Sequence, residues 1–405
     1  MVTLLKQKKI PTLRFPGSSD GWEEKKLGDV ARIYDGTHQT PNYVKEGISF
    51  YSVEQVTAND FLNTKFVTND VFEAENKRIK IEKNDILMTR IGDIGTARLI
   101  DWNARASFYV SLALIKCSEK IKPNFLSQYI NSSNFQKQLW KKTIHAAFPK
   151  KINLGEIGEC KLFAPAIPEQ QKIAEFLGVV DTWIENLRAQ KENFESYKKG
   201  MMQKIFSQEI RFKDANGKNF SGWEEKKLGD VGNITTGTTP STANKEYYGN
   251  DFPWITPTDI NEEKNIYTSA RFLTKKGIEK GRFVPKDTLL VTCIASIGKN
   301  AILRVDGSCN QQINAVSPNK ENDVDFLYYL IEKNKNILIR FAGAGGMQML
   351  NKKDFSNLKF RIPPLLEQQK IAEFLTSIDK IIESKQQQIT QAEQWKKGLM
   401  QGLFV

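Results

Sequence analysis

The side chains of this chain that could do chemistry are few, and badly spaced for catalysis. There are two histidines, His38 and His145, and four scattered cysteines, Cys117, Cys160, Cys293 and Cys309, with no C-x-x-C pair. That set argues against a structural zinc site and reads as reduced thiols in a cytoplasmic setting. Residues 17–21 spell G-x-S-x-G, but no strand leads into them to raise Ser19 as a nucleophile, so they read as a turn. Glu262-Glu263-Lys264 is half of a nuclease E-x-K pattern. A metal would need a further carboxylate on a neighbouring strand, so the run reads as solvated charge. Phe341-Ala342-Gly343-Ala344-Gly345 matches the F-x-G-x-G loop with which DNA methyltransferases hold their cofactor. Such a loop must follow a parallel strand. Here it follows a helical pattern, no Asn-Pro-Pro-aromatic segment accompanies it, and it reads as a flexible loop facing DNA or a partner.

Recognition chemistry is better supplied. Arg, Lys, Asn and Gln bond base edges, while Lys, Ser, Thr and backbone N–H groups hold phosphates. A net charge of +12 over 405 residues suits a polyanionic partner. The candidate readers are Thr37, His38, Gln39 and Thr40 in one Gly/Thr-rich turn, and Thr238, Thr239 and Ser241 in its counterpart. Arg90 and Lys299 stand near the ends of two strand-like runs. Arg105, Lys150, Lys151, Gln311, Gln312, Lys352 and Lys353 complete the set. Any one of them alone could be an ordinary surface residue; the expectation is a contact somewhere within the set.

The elements that must position these residues come in two copies. EQQKIAEFL occupies residues 169–177 and again 367–375 (367 − 169 = 198), and KKGMMQKIF at 198–206 returns as KKGLMQGLF at 396–404. A segment that keeps its length while its interior drifts is held by a periodic structure. Ile173, Leu177, Val180, Ile184, Leu187, Phe194, Met201 and Ile205 alternate steps of four and three, as do Ile371, Leu375, Ile378, Ile382, Ile389, Leu399 and Leu403 for most of their length. That is the seam of a coiled coil, in helices of about 38 residues and roughly 57 Å. A parallel pairing would set unlike residues side by side, Leu187 with Lys385 and Phe194 with Ala392, so an antiparallel pairing is expected. The plainer alternative is two amphipathic helices, each packed on its own domain.

Ahead of each helix lies a variable block led by the same decapeptide, GWEEKKLGDV, at residues 21–30 and 222–231. Residues 85–91 and 111–115 read as strands, Pro123 opens a helix expected to reach about Ile144, and residues 287–294 with a helix from Asp325 repeat the framework. Asn153 and Asn351 sit where N-caps would stand. Gly200 and Gly398 suggest close approach of a partner helix, or fraying. The expected division is an arm at 1–20, a recognition block at 21–165, a helix at 166–208, a second block at 209–362 and a second helix at 363–405. No apolar run reaches 18 residues, and the first fifteen residues lack a signal-like apolar core, so neither a membrane span nor a secretory leader is expected.

Two diverged blocks, each led by W-x-x-x-x-L-G-[DE] and closed by a P-x-x-E-Q-[QK]-x-I-A-x-[FI]-L helix, resemble the specificity subunit of type I restriction–modification enzymes. Trp22, Leu27, Gly28 and Asp29, with Trp223, Leu228, Gly229 and Asp230, carry the first signature. Residues 168–177 carry the second, and residues 367–375 repeat its core after Leu365-Leu366 in place of Ile167-Pro168. The resemblance covers essentially the whole chain. It implies an α+β architecture, with two pseudo-two-fold-related α/β target-recognition domains separated by two long helices in an antiparallel coiled coil. It also implies double-stranded DNA as ligand, two modification (methyltransferase) subunits docked on the helix pair, and restriction (motor–nuclease) subunits in the full complex. S-adenosylmethionine and ATP with Mg would belong to those partners, and this chain would hold no cofactor and catalyse nothing. Partner docking is expected at the seam residues Ile173, Leu177, Val180, Ile184, Leu187, Phe194, Ile371, Leu375, Ile378, Ile382, Ile389 and Leu399. A self-sufficient methyltransferase using the Phe341 loop, and a coiled-coil scaffold binding proteins, are the competing readings.

Overall fold

The computed structural model describes residues 8–18, 20–261, 263–342 and 349–405. Ser19, Glu262 and residues 343–345, which carry parts of three of the motifs above, lie outside the described residues. The chain forms two compact units, Met1–Arg188 with Gln387–Val405, and Ala189–Gln386. The division falls inside both long helices, Ile167–Phe206 and Leu365–Leu403, so each unit owns one end of each helix.

In the first unit a four-stranded sheet runs in the order Ala31–Asp35, Leu112–Cys117, Asp85–Thr89, Ala97–Ile100, with all neighbours antiparallel. Asp85–Thr89 lies between two neighbours and is buried at every residue, as its run of apolar side chains requires. A second sheet, Lys65–Val67, Ile48–Tyr51, Ala106–Phe108, contains a parallel pair. A third joins Trp22–Lys26 to Lys161–Ala164 and so closes the block on itself. The second unit repeats the order: Gly232–Thr236, Ile313–Pro318, Thr288–Thr292, Asn300–Leu303, with Asn265–Ile266 added in parallel at the edge. Its parallel pair is Phe252–Ile255 with Gly307–Cys309, and Glu224–Lys227 with Lys359–Ile362 closes the block.

The helix expected from Pro123 to Ile144 is two helices, Pro123–Ile130 and Ser133–Lys142. The break is chemical. Asn131 Nδ2 donates to the carbonyls of Ala97 and Ser127, both at 2.9 Å, and Ser132 Oγ caps the next helix by accepting from Phe135 N. Asn351 caps its helix as expected, accepting from Asp354 N at 2.9 Å, whereas Asn153 stands at the N-cap position without a side-chain cap bond.

What the repeated signatures do is visible at the start of each long helix. Glu169 accepts from Arg14 Nε and Nη2 at 3.0 and 2.7 Å and from Trp22 Nε1 at 3.4 Å. Glu367 accepts from Arg211 Nε and Nη2 at 3.1 and 2.6 Å and from Trp223 Nε1 at 3.2 Å. Gln170 and Gln368 each accept one backbone N–H, of Lys122 and Asp323, and each donate to the carbonyl of the proline five residues earlier. The first-turn carboxylates also face the positive end of the helix dipole. One short stretch of helix thus holds the arm, the leading strand and the block together.

Within each unit the two helix segments run in opposite directions. In the first unit, Asp181 bonds Lys396 at 2.5 Å and Arg188 bonds Glu393, while Val180, Ile184 and Leu187 cluster with Ile389 and Ala392. In the second, Lys198 bonds Asp379 at 2.5 Å, and Ile205 joins Ile371, Leu375 and Ile378. Ile173 and Leu177 are buried with Leu403 and Phe404; Phe194, Ile382 and Leu399 are half-buried. The two ion pairs occupy equivalent positions of the repeat. A Cβ at Gly200 or Gly398 would meet nothing within 4 Å, so close approach does not account for these glycines, and nothing in the structure explains them.

Lys264, expected in a solvated charge run, is instead buried: its ammonium meets Asp325 at 2.7 Å, Thr376 Oγ1 at 2.7 Å and Tyr329 OH at 3.2 Å. Burial pulls the Lys264 ammonium below its usual pKa. Burial pushes Asp325 up, but Arg304 and Lys264 outweigh it and hold that carboxylate below its usual range. Burial also pushes the thiols of Cys117 and Cys309 up to about 12, and those of Cys160 and Cys293 up to about 11, so none is an activated nucleophile. No helix among the described residues is long and apolar enough to cross a membrane.

Glu367 is fully buried with a charged partner. Replacing it (Glu367→Ala) should cost about 3 kcal/mol of unfolding free energy, the low end for breaking a buried pair because Arg211 keeps some water. The exposed Glu373→Ala on the same helix should cost less than about 0.5 kcal/mol. Urea midpoints of the full chain compare the two, and equal effects would refute the role given to Glu367.

Candidate nucleic-acid interface

Register places the strand ends that carry the candidate readers together. Asp35 and Met88 both face Ala113, so in the first unit the turn after Ala31–Asp35, the turn after Asp85–Thr89 and the residues before Leu112 share one end of the sheet. In the second unit Thr236 faces Asn314 and Thr292 faces Ile313, which gathers the turns after Gly232–Thr236 and Thr288–Thr292 with Gln311 and Gln312.

Each candidate turn is pinned through its backbone. A Cβ on Gly36 would lie 2.0 Å from the Phe108 carbonyl oxygen, and one on Gly237 would lie 2.2 Å from those of Cys309 and Asn310, so only glycine fits. Next to them, Thr37 N donates to Phe108 O at 3.0 Å and Thr238 N to Cys309 O at 2.9 Å. Arginines brace both turns from outside: Arg78 Nη2 bonds Gly36 O at 3.0 Å, and Arg282 Nη1 bonds Thr236 O at 2.6 Å. Asp35 sits inside the first brace, bonded to Arg78 Nη1 at 2.9 Å and His38 Nε2 at 2.8 Å. Burial raises its pKa, but Arg78 and His38 more than offset that and hold it below the usual carboxylate range.

The side chains beyond these anchors differ. His38, Gln39 and Thr40 are exposed, with Thr40 Oγ1 3.2 Å from Tyr109 OH. Their counterparts Thr239 and Ser241 are exposed, and Thr239 Oγ1 bonds Gln311 Oε1 at 2.5 Å. Gln312 is half-buried and accepts from Asn310 Nδ2 at 3.0 Å. Lys299, in the turn after Thr288–Thr292, is exposed at the same sheet end. Lys150 and Lys151 reach that end of the first unit through the bridge between Ile91 and Lys151, and Lys352 and Lys353 open the helix that follows Met349, which bridges Ile294. Under the first turn lies a cavity of about 260 Å³ lined by Gly36, Thr37, His38, Glu75, Asn76 and Ser107. Glu75 Oε2, Asn76 Nδ2 and Ser107 Oγ have no hydrogen-bond partner in the protein there.

Two candidates are placed otherwise. Arg90, expected at a base edge, is buried, and its guanidinium donates to the carbonyls of Val110 at 2.8 Å and Ile152 at 3.2 Å, with Asp35 at 3.9 Å. It braces the loops instead. Arg105 precedes Ala106–Phe108, at the far end of that strand from Gly36; it bonds Asn69 Oδ1 at 2.7 Å and covers the Phe72 ring. Sequence reasoning missed Arg78 and Arg282, which no local pattern links to the turns they hold. Phe341 ends the helix Lys335–Phe341, so no strand leads into the F-x-G-x-G segment. Among the described residues no group of three or more His, Cys, Asp or Glu could hold a metal.

Known proteins resemble this chain. The chain is 34% identical over 207 residues to the MjaIX specificity subunit of a type I restriction enzyme of Methanocaldococcus jannaschii, covering 49% of this chain and about half (48%) of that relative. It is 25% identical over 399 residues to the putative MjaX specificity subunit of the same organism, covering 94% of this chain and 92% of that one. The crystal structure of the type I restriction-modification S subunit from M. genitalium superposes with a TM-score of 0.62 at 16% identity, over 98% of this chain and 99% of that one, which shows the same fold. The family model described as the type I restriction modification DNA specificity domain matches residues 19–195 and again 220–394, and with both copies matched the chain belongs to that family.

Proposed function

We propose that the chain is the non-catalytic, sequence-specific DNA-binding subunit of a type I restriction–modification complex, each block reading one part of an asymmetric, two-part target. The observation that supports this best is the pair of reading turns, anchored identically at Gly36 and Gly237 yet lined by different side chains. A shared frame with divergent tips is what two readers of different sequences require. Readers on two modules suit half-sites about one helical turn, ~34 Å, apart. The helix pair would act as the ruler of the unread gap. Chemistry on an extruded adenine would belong to the modification subunits, with S-adenosylmethionine there and ATP with Mg on the restriction subunits.

Partner docking needs a different face from the seam. Ile173, Leu177, Val180, Ile184, Leu187, Ile371, Leu375, Ile378 and Ile389 are covered by the chain's own helices. The flank instead exposes Val179, Trp183 and Trp395 in the first unit and Tyr197 and Ile381 in the second. Trp183 and Ile381 are equivalent positions of the repeat, as are Tyr197 and Trp395. Two like patches suit two copies of one modification subunit.

Three outcomes test this reading. The affinity of the chain, assembled with its modification subunits, for target duplex should fall about a thousandfold between 50 and 200 mM salt if some six phosphates are held; a slope near zero would favour a protein-binding scaffold. Exchanging residues 31–160 for another block should change one half of the methylated motif read by methylome sequencing, and a change in both halves would contradict modular reading. Trp183→Asp with Trp395→Asp should lower the modification subunits that co-purify from two to one while leaving the melting temperature within a few degrees, since both rings are half-exposed; two retained copies would refute the docking face.

A further inference from the structure

Phe148 is fully exposed, at 104% of its reference area. A solitary exposed apolar side chain is ordinary on a protein surface, but three features set this one apart. The first is bracing. Ile144 N donates to Lys151 O at 2.8 Å, Gly92 N donates to Lys150 O at 2.8 Å, and Lys151 bridges both Ile144 and Ile91. The His145 ring lies 4.3 Å from that of Trp140 with its Nε2 2.9 Å from Trp140 O, and Lys150 Nζ sits 4.8 Å over the same indole. The base of the loop is therefore held from several sides, and Ala146, Ala147, Phe148 and Pro149 project from it.

The second feature is position. Ile152 N donates to Arg90 O at 3.0 Å, which sets the loop at the sheet end that carries Gly36, Thr37 and His38. The third is the company the ring keeps. Lys150 and Lys151 follow it after Pro149, both exposed, and two alanines precede it. Protein interfaces are depleted in Lys and Ala around their anchors. Trp140 and Ile144 are also exposed at the base of the loop, but only Phe148 stands wholly clear at its tip. An aromatic ring so placed, with small neighbours before it and lysines after it, matches a residue that enters between bases while its lysines hold phosphates.

We propose that Phe148 is a wedge that enters the base stack of DNA beside the part of the target read by the first block, unstacking one step there. This rests on the reading of the chain as a DNA-specificity subunit. Its consequence is chemical: a step already opened lowers the cost of extruding a base nearby for a partner subunit. The position equivalent to Phe148 in the repeat (148 + 198 = 346) is Gly346, which lies outside the described residues and has no side chain to insert.

The test uses the full chain assembled with its modification subunits, and duplexes of the methylome-defined target with 2-aminopurine placed at each position in turn. Binding is read separately by fluorescence anisotropy. Wild type should raise 2-aminopurine emission severalfold at one step within or beside the first half-site. Phe148→Ala should abolish most of that rise and weaken binding about tenfold, the loss of one ring stacked on a base, with an unchanged salt slope. Phe148→Trp should restore both. Binding that stays intact while emission is the same in wild type and Phe148→Ala overturns the wedge but spares the DNA-specificity reading. A wild-type complex that binds no duplex overturns both. The alanine variant should melt with the wild type, and an early transition would make the ring structural and sink the proposal.

Discussion

A carboxylate cut off from water and held by an arginine and an indole is the point on which each half of this protein turns. Glu169 and Glu367 sit in the first turn of a long helix, yet their partners come from the segment that leads into each block, some 150 residues earlier. An ionised group so placed is tolerable only if every oxygen is satisfied, and here each is. The geometry leaves little play between helix and block. Whatever the block presents at its far end is thereby referred to the helix, and the opposed helix segments, tied by Asp181 to Lys396 and by Lys198 to Asp379, pass that reference on within their own unit.

The surface proposed to read bases follows from the same economy. In both units the sheet order, the close approach at Gly36 or Gly237 and an arginine on the turn are kept, while the exposed side chains change. The framework contacts fall on main-chain atoms; the tip side chains are exposed and differ between the two units. Arg90 shows the boundary, since its buried guanidinium donates to two backbone carbonyls and serves the frame.

Much of this was legible in the sequence, and what was not has a common cause. The repeat and the antiparallel seam were readable because both depend on residues a fixed distance apart along the chain. The strands around residues 85–91 and 287–294 were readable because burial on both faces leaves an unbroken apolar run. The burial of Lys264 was hidden, because Asp325, Tyr329 and Thr376 converge on it from two helices far along the chain and leave no local trace. The helix break at Asn131 was hidden for the same reason: the side chain stops the helix by bonding Ala97, on a strand more than thirty residues away. The signature tryptophans and glutamates could be recognised as a pair of motifs, but not as two ends of one hydrogen bond.

The close approach at Gly36 and Gly237 has a bearing on how such a protein changes over time. Because the candidate reading turns are held at their main-chain atoms, by carbonyl contacts and by Arg78 and Arg282, drift at the exposed positions beyond them meets little resistance from folding. Address and robustness then sit on separate sets of residues. A lineage can try new specificities without first acquiring spare stability, and a mutation that silences recognition need leave no mark on the abundance of the protein.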